Sequence, residues 1–478
     1  MKNWWRIYGV GVVVILAGCM SAPAPDSIST PWKPPQRAQT SMQSWQELRA
    51  RRPDLSKPLA LAELADIALQ NNPASRKAWS DARVAAAQVQ QARGYFMPTV
   101  TAVGNVSHLV VDASTNLLDQ NYLNYGPGLQ LNYLIFNFGG GREAAVEQAL
   151  HTVYAANYTF NRTLQDILQA VQNTYFGLVS AQADIGATQA QLKDAQAALE
   201  AAEIRRDNGV GRELDVLQAR AMADQALFQL AGAEGAEQTA QAALTQVLGL
   251  PADTPVKITE PTQELPAAAD ASQLTQMIDA ALARRPDIAA LRARLKASES
   301  AIKVAGAPNW PSLYLTAHGT RDYNDIRTGE FVAERDWNYG AGLSLQWTLF
   351  DGLQTLNAKR AAEAPAESVR NQLQQAELAA SADVWTSHHN YQTALKRFQA
   401  SAAVLKSGQA AYDLALDSYK AGLMSILDLL TAEAQLARAR SEHIGARQDA
   451  FTALANLAHA SGTLDRENLD VPLADGKP

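Results

Sequence analysis

Cysteine is nearly absent from this chain of 478 residues: Cys19 is the only one. A lone cysteine can make no internal disulfide, and it rules out a site built from several thiolates. Histidine is scarce as well, and the only adjacent pair is His388–His389. Neighbours on a helix point about 100° apart, so this pair reads as ordinary helix surface, and neither a metal nor a cofactor is expected. Clusters of Lys and Arg are missing and the formal net charge is -7, which argues against a nucleic-acid partner. Beyond the N-terminal segment no apolar run reaches the ~18 residues of a membrane-spanning helix. Any spanning part must therefore be strand. No nucleophile–base pair, phosphate-cradling glycine loop or paired carboxylates stands out. No catalytic residue is assigned, and the chain is not read as an enzyme.

What the chain does have is a strongly patterned segment, repeated. From Tyr339 to Phe350, Tyr339, Ala341, Leu343, Leu345, Trp347 and Leu349 alternate with Gly340, Gly342, Ser344, Gln346 and Thr348. Period-2 alternation of this length predicts a strand with one apolar and one polar face. It also exceeds the about 9–11 residues a tilted strand needs to cross a bilayer. Tyr125 to Phe136 repeats the pattern at an offset of 214 residues, with Tyr125, Leu129, Leu131 and Tyr133 on the apolar face. Further landmarks recur at an offset of 213: Ala68-Leu69 and Pro73 as Ala281-Leu282 and Pro286, and Pro98 as Pro311. Gly209, Leu214, Asp215, Leu217 and Ala219 return as Gly422, Leu427, Asp428, Leu430 and Ala432. Such spacing identifies a tandem duplication.

Along the chain, residues 1–18 read as a signal peptide, with Lys2 and Arg6 ahead of an apolar run. Residues 19–58, rich in proline and serine, form an extended tether. The first repeat, 59–262, is expected to hold short helices, a β-hairpin over 99–136 and a long helical hairpin over 142–248. The second, 263–465, repeats this with a β-hairpin over 312–350 and a helical hairpin over 353–460, and 466–478 is a flexible tail. From Arg142 to Asn208 there are 67 residues without a proline. There Leu164, Ile167, Leu168, Val171, Tyr175 and Leu178 keep a coiled-coil spacing. Pro365 should bend the second long helix near its start.

One hairpin per repeat gives four strands per chain. Four strands cannot close a barrel, and an open sheet edge in lipid leaves backbone groups unpaired. Strands must come from other copies: two chains give eight, with an interior filled by side chains, and three give twelve, which can leave a lumen. On the residues just quoted, with Asn72-Pro73 and the turns Gly209–Ala219 and Gly422–Ala432, the chain resembles the outer-membrane factor family typified by TolC. The match is to its lipoprotein branch, which serves multidrug efflux and hence antibiotic resistance. The resemblance implies a mainly α protein with a transmembrane β-barrel, in which a homotrimer forms a twelve-stranded barrel continued by a long α-helical barrel. It also implies a place in the bacterial outer membrane reaching into the periplasm, with a periplasmic adaptor and an inner-membrane efflux transporter as partners. The outer-membrane lipid would meet Tyr125, Leu129, Leu131, Tyr133, Tyr339, Leu343, Leu345 and Trp347.

The same resemblance suggests site residues. In the family the helical tips dock the adaptor, which points here to Gly209, Val210, Gly211, Gly422, Leu423, Met424 and Ser425. The periplasmic gate maps to Leu427, Asp428 and Thr431. Asp428 matches a position where the family can carry an acidic ring, yet Ser425 to Asp428 also has capping-box spacing, and both readings stand. A second acidic position of some members is Thr431 here. Leu16-Ala17-Gly18-Cys19 resembles a lipobox, implying that Cys19 carries acyl chains such as palmitate. A type I protein-secretion duct and a non-channel, periplasm-spanning coiled-coil lipoprotein remain as alternatives.

Overall fold

The computed structural model describes residues 57–111, 120–261, 265–328 and 330–465. The expected signal peptide, Cys19, almost all of the tether and the tail lie outside them. Helix α1 (Leu61–Asn71) buries Leu61, Leu64, Ala65 and Ala68, a stripe with helical spacing. Helix α2 (Pro73–Gly94) starts on a proline, with Asn72 Oδ1 accepting the Ala74 N–H at 2.8 Å. Two antiparallel strands follow, β1 (Thr99–Val111) and β2 (Gln120–Asn137). Helix α3 (Gly141–Asp207) has 67 residues, about 100 Å at 1.5 Å per residue. Helix α4 (Glu213–Val247) folds back along it.

The second repeat copies this plan: α5 (Ala271–Arg284), α6 (Pro286–Gly306), β3 (Ser312–Thr328), β4 (Glu330–Gln346), α7 (Gln354–Lys420) and α8 (Ile426–Ala460). Helices α7 and α3 both have 67 residues, and α8 and α4 both have 35. Even a capping device is duplicated. Asn72 Nδ2 donates to Val247 O at 2.8 Å, and Arg285, the matching residue before a proline, donates to Ala460 O at 3.3 Å. Each repeat thus ties the C-terminus of its last helix to the start of its second, where unpaired carbonyls need donors.

The strands form one antiparallel sheet in the order β1-β2-β3-β4. A bulge between Leu134 and Phe136 frees carbonyls at the end of β2. The buried Arg142 takes them, donating to Leu134 O and Ile135 O while its guanidinium lies 4.5 Å from the Phe96 ring centre. Below the sheet, Leu64, Ile167, Val171, Tyr175, Phe176, Leu244 and Phe451 form the largest core. Here the short helices pack on the long ones.

Two expectations need correction. Strand β4 ends at Gln346, because its partner β3 begins at Ser312 and offers no backbone beyond the Ser312–Gln346 pair. Trp347, expected on the lipid-facing strand, therefore lies just past it, its indole N–H donating to Asn309 O at 3.1 Å. His388 is buried rather than on the surface, its Nε2 3.0 Å from Ala269 O. There it works with Tyr391, whose hydroxyl donates to Pro266 O at 2.5 Å, to pin the segment between the repeats; Tyr175 does the same at Thr259 O.

Candidate functional site

The register sorts the sheet into two faces. On one face β1 brings Val100, Ala102 and Val106, and β2 brings Tyr125, Leu129, Leu131 and Tyr133. The same face carries Leu313, Leu315 and Ala317 of β3 against Leu345, Leu343 and Ala341 of β4. These residues are unusually bare: Tyr339 is 81% exposed, and Leu343, Leu345, Leu129 and Val106 are exposed as well. A continuous apolar face of this size marks a contact with lipid or protein. The other face is polar and small, with Ser344, Gly342, Gly340 and Gln346 paired to Tyr314, Thr316, His318 and Ser312. Across it runs an asparagine ladder. Asn105 Nδ2 donates to Asn124 Oδ1 at 2.6 Å, and Asn124 Nδ2 donates to Asn324 Oδ1 at 2.5 Å. Each face spans all four strands, and among the described residues the outer edges of β1 and β4 have no strand partner.

At the far end, both helical hairpins turn by the same device. Gly209 (φ 76°) and Gly422 (φ 79°) adopt the left-handed conformation that L side chains resist. Gly209 N–H donates to Arg206 O and Val210 N–H to Arg205 O; Gly422 N–H donates to Tyr419 O and Leu423 N–H to Ser418 O. This is a Schellman turn, whose residue after the glycine ordinarily packs back on the helix. Here those residues stand out instead, Val210 68% and Leu423 84% exposed, with Leu214 and Leu427 exposed beside them. Met424 is half-buried and Gly211 closes the first turn, its N–H donating to Arg205 O at 2.9 Å.

Asp428 is exposed and engaged at the start of α8: its Oδ2 accepts from Ser425 Oγ at 2.6 Å, and its N–H donates back at 3.3 Å. The hydroxyl of Thr431 donates to Leu427 O within the same helix. Asp215, its counterpart in the first turn, is buried and paired to Arg212 at 3.0 Å.

Several polar residues that the sequence reading passed over join the two hairpins. Arg205 of α3 donates to Tyr419 O of α7 at 2.5 Å, its guanidinium 4.9 Å from the tyrosine ring centre. Higher up, Arg440 of α8 pairs with Asp194 of α3 at 2.7 Å, and the Tyr412 hydroxyl of α7 donates to Asp194 O at 3.0 Å. Between these ties sits Glu433, buried, with neither carboxylate oxygen hydrogen-bonded. Burial, and then the charge of Asp194, push its pKa up to about 7. The helices around the ties meet on small residues, Ala195, Ala198 and Ala202 against Ala219, Ala223 and Ala226.

Among the described residues no helix is long and apolar enough to cross a membrane, and no three His, Cys, Asp or Glu are grouped to hold a metal. The family model for outer membrane efflux proteins matches the chain twice, over residues 64–250 and 277–463. The chain belongs to the outer membrane efflux protein family. Each match holds one β-hairpin and one helical hairpin. Protein CyaE of Bordetella pertussis is 31% identical over 413 residues, 86% of each chain. The pyoverdine export outer membrane protein OpmQ of Pseudomonas aeruginosa is 25% identical over 95% of each. Among solved structures, the outer membrane protein VceC of Vibrio cholerae shares the fold with a TM-score of 0.72 and 23% identity, over 87% of this chain and 98% of that one. The fold is mainly α, and the four strands are one chain's share of a twelve-stranded transmembrane barrel continued by an α-helical barrel.

Proposed function

We propose that three copies of this chain form a passive exit duct of a tripartite efflux system, carrying small toxic compounds from the periplasm to the exterior. The observation that carries this is the two-faced sheet with two unpaired edges. In lipid those edges must be closed by other copies. Twelve strands leave a lumen, which the polar face with its asparagine ladder would line. The helical hairpins prolong that lumen below the membrane. A periplasm-spanning scaffold that is not a channel has no use for such a sheet. The name of OpmQ, a pyoverdine exporter, supports a small-molecule cargo over a secreted protein.

The turns with their bare apolar residues, Val210 and Leu423, and the half-buried Met424 beside them, dock a periplasmic adaptor, which in turn connects to an inner-membrane transporter. The Schellman turns at Gly209–Gly211 and Gly422–Ser425 hold that surface in shape. Around the three-fold axis, Asp428, Thr431 and Leu427 narrow the periplasmic mouth, with the Ser425–Asp428 cap fixing where each carboxylate stands. The ties at Arg205 and Arg440 hold the hairpins closed until the adaptor engages. Cys19 carries the acyl anchor at the membrane, and residues 59–262 and 263–465 act as two structural repeats that alternate around the duct.

Planar-bilayer recording of the purified protein tests the reading. Discrete current steps are expected, larger for Asp428→Ala than for the native chain. A protein that inserts but passes no current, even with that substitution, would overturn it.

A further inference from the structure

The lipid-facing side of the sheet carries no charge along the apolar band, and then two arginines appear together. On β4 the band runs from the sheet's lower end at Gln346 up to Trp337, nine residues along the strand. At about 3.4 Å per residue and a tilt near 40°, that is roughly 25 Å of membrane, the height of an outer-membrane apolar band. The helices leave from the lower end, so the upper end faces the exterior. At this upper rim Arg321 stands opposite Trp337, and Arg335 opposite Tyr323. The Arg321 guanidinium lies 5.3 Å from the Trp337 ring centre and 5.9 Å from that of Tyr323, and Arg335 lies 5.9 Å from Tyr323. Tyr125 stacks on Tyr323 at 5.3 Å, extending the platform onto β2.

Among the residues whose side chains are described, neither guanidinium has a carboxylate partner. Arg321 and Arg335 are diagonal neighbours across one strand pair, about 7–8 Å apart at the backbone. Two like charges held that close on a lipid-facing surface repel each other and call for an anion between them. The aromatic faces fix the planar guanidinium groups and leave their N–H edges free for phosphate oxygens. Trp337, 68% exposed, keeps ring surface beside them on which a sugar ring stacks. A phosphorylated sugar matches both halves of the site, and the outer leaflet at this height consists of phosphorylated glycolipid.

We propose that Arg321 and Arg335, framed by Trp337, Tyr323 and Tyr125, bind a phosphate on the glycolipid headgroup of the outer leaflet, at one such site per chain. This rests on the barrel reading, which decides that the face meets lipid. Bound glycolipid would clamp β3 to β4 from outside and fix the height of the barrel in the membrane.

The test is native mass spectrometry of the purified trimer in detergent, titrated with a bisphosphorylated, acylated glucosamine disaccharide. Up to three bound molecules are expected. R321A/R335A should weaken binding by at least about tenfold, as expected for the loss of charge-assisted hydrogen bonds, and the dephosphorylated disaccharide should bind as weakly to the native chain. Millimolar inorganic phosphate should fail to displace the glycolipid, and phosphatidylglycerol should bind more weakly than it does. Equal binding by R321A/R335A or by the dephosphorylated lipid overturns the proposal. So does displacement by free phosphate, which would make this a small-anion site, or equal binding of phosphatidylglycerol, which would leave the sugar unread. Conductance of R321A/R335A in a bilayer without glycolipid separates this from the channel reading. Native-sized current steps with lost glycolipid binding support the site, whereas a native chain without current sinks the barrel itself.

Discussion

Replacing Glu433 with glutamine should remove much of the pH dependence of stability in the helical part of this protein. The carboxyl is 2% exposed, has no hydrogen-bond partner among the described residues, and titrates at about 7 instead of the ordinary 4.5. Three charged or titratable groups face this region from the helices packed there: Asp194 of α3, already held by Arg440 of α8, and Tyr412 of α7. None donates to it. In the unfolded chain the carboxyl ionises near 4.5, so between that pH and about 7 the folded chain holds a proton that the unfolded chain has lost. Stability from this group is therefore greatest below about 4.5, falls as pH rises, and levels off above about 7. Roughly 2.5 units at 1.36 kcal/mol each amount to about 3 kcal/mol between those limits. The measurement is thermal unfolding of the detergent-solubilised trimer, followed by helical circular dichroism from pH 5 to pH 8. The native chain should melt at lower temperature as pH rises, with the change centred below 7. Glu433→Gln, neutral throughout, should lose that component and keep whatever the other groups contribute. An identical pH profile in the two proteins would show that Glu433 is ionised or solvated in the folded state, and the reasoning would fail.

Other substitutions probe the tips and joints. Arg205→Ala removes a hydrogen bond from a charged donor, worth about 1.5–3 kcal/mol, between α3 and the end of α7. Larger single-channel steps in a planar bilayer are expected, and an unchanged conductance would mean the tie does not hold the mouth closed. Leu353 is the one non-glycine residue with positive φ among the described residues, at 68°, and its side chain is 54% exposed. Leu353→Gly should raise stability in the same melting assay by roughly 1 kcal/mol, the cost of the left-handed conformation for an L residue. A lower melting temperature would mean the exposed side chain is covered in the trimer. Tyr391→Phe leaves Pro266 O without its donor. It should cost about 1–2 kcal/mol and speed amide exchange around 267–270 more than at the barrel; uniform protection would rule out this anchoring role.

Much of the architecture was legible in the sequence because it rests on periodicity, which is local. Alternation over Tyr125–Phe136 and Tyr339–Phe350 fixed which face of each strand is apolar, and the proline-free run from Arg142 fixed a long helix to within a residue at each end. Strand ends were less legible: alternation continues through Trp347 and Leu349, but a ladder stops where its partner stops, and that partner lies over thirty residues away. Least legible were the polar groups inside the helical hairpins. Arg205 meets Tyr419, Arg440 meets Asp194, and His388 meets Ala269 across separations that no local pattern reveals.

Glu433 did carry a signal. Ile426, Leu429, Leu430 and Leu436 mark the buried stripe of α8, and Glu433 occupies the same phase, a carboxylate where the helix period calls for an apolar side chain. The duplication sharpens such signals, since each residue has a counterpart 213 positions away. Backbone features coincide between the repeats, down to the lengths of the long helices, the glycine turns and the left-handed residue before each 67-residue helix, Gly140 and Leu353. The polar interior does not: Glu433 corresponds to the exposed Arg220, and buried Arg142 to Thr355. Two equal repeats in each of three chains would make a duct with six equivalent hairpins. Differences such as these reduce it to three pairs, with Glu433 and the exposed Ser425–Asp428 cap on one member of each pair, and Arg220 and the Arg212–Asp215 ion pair on the other. A mouth that opens by moving one hairpin against the other needs that inequality, because identical hairpins would hold and release together. Exchanging the two tips, residues 205–220 for 418–433, therefore tests it: the backbone turns are the same, so the protein should fold. Its conductance should change if the unequal side chains govern the mouth, and stay native if the turns alone suffice.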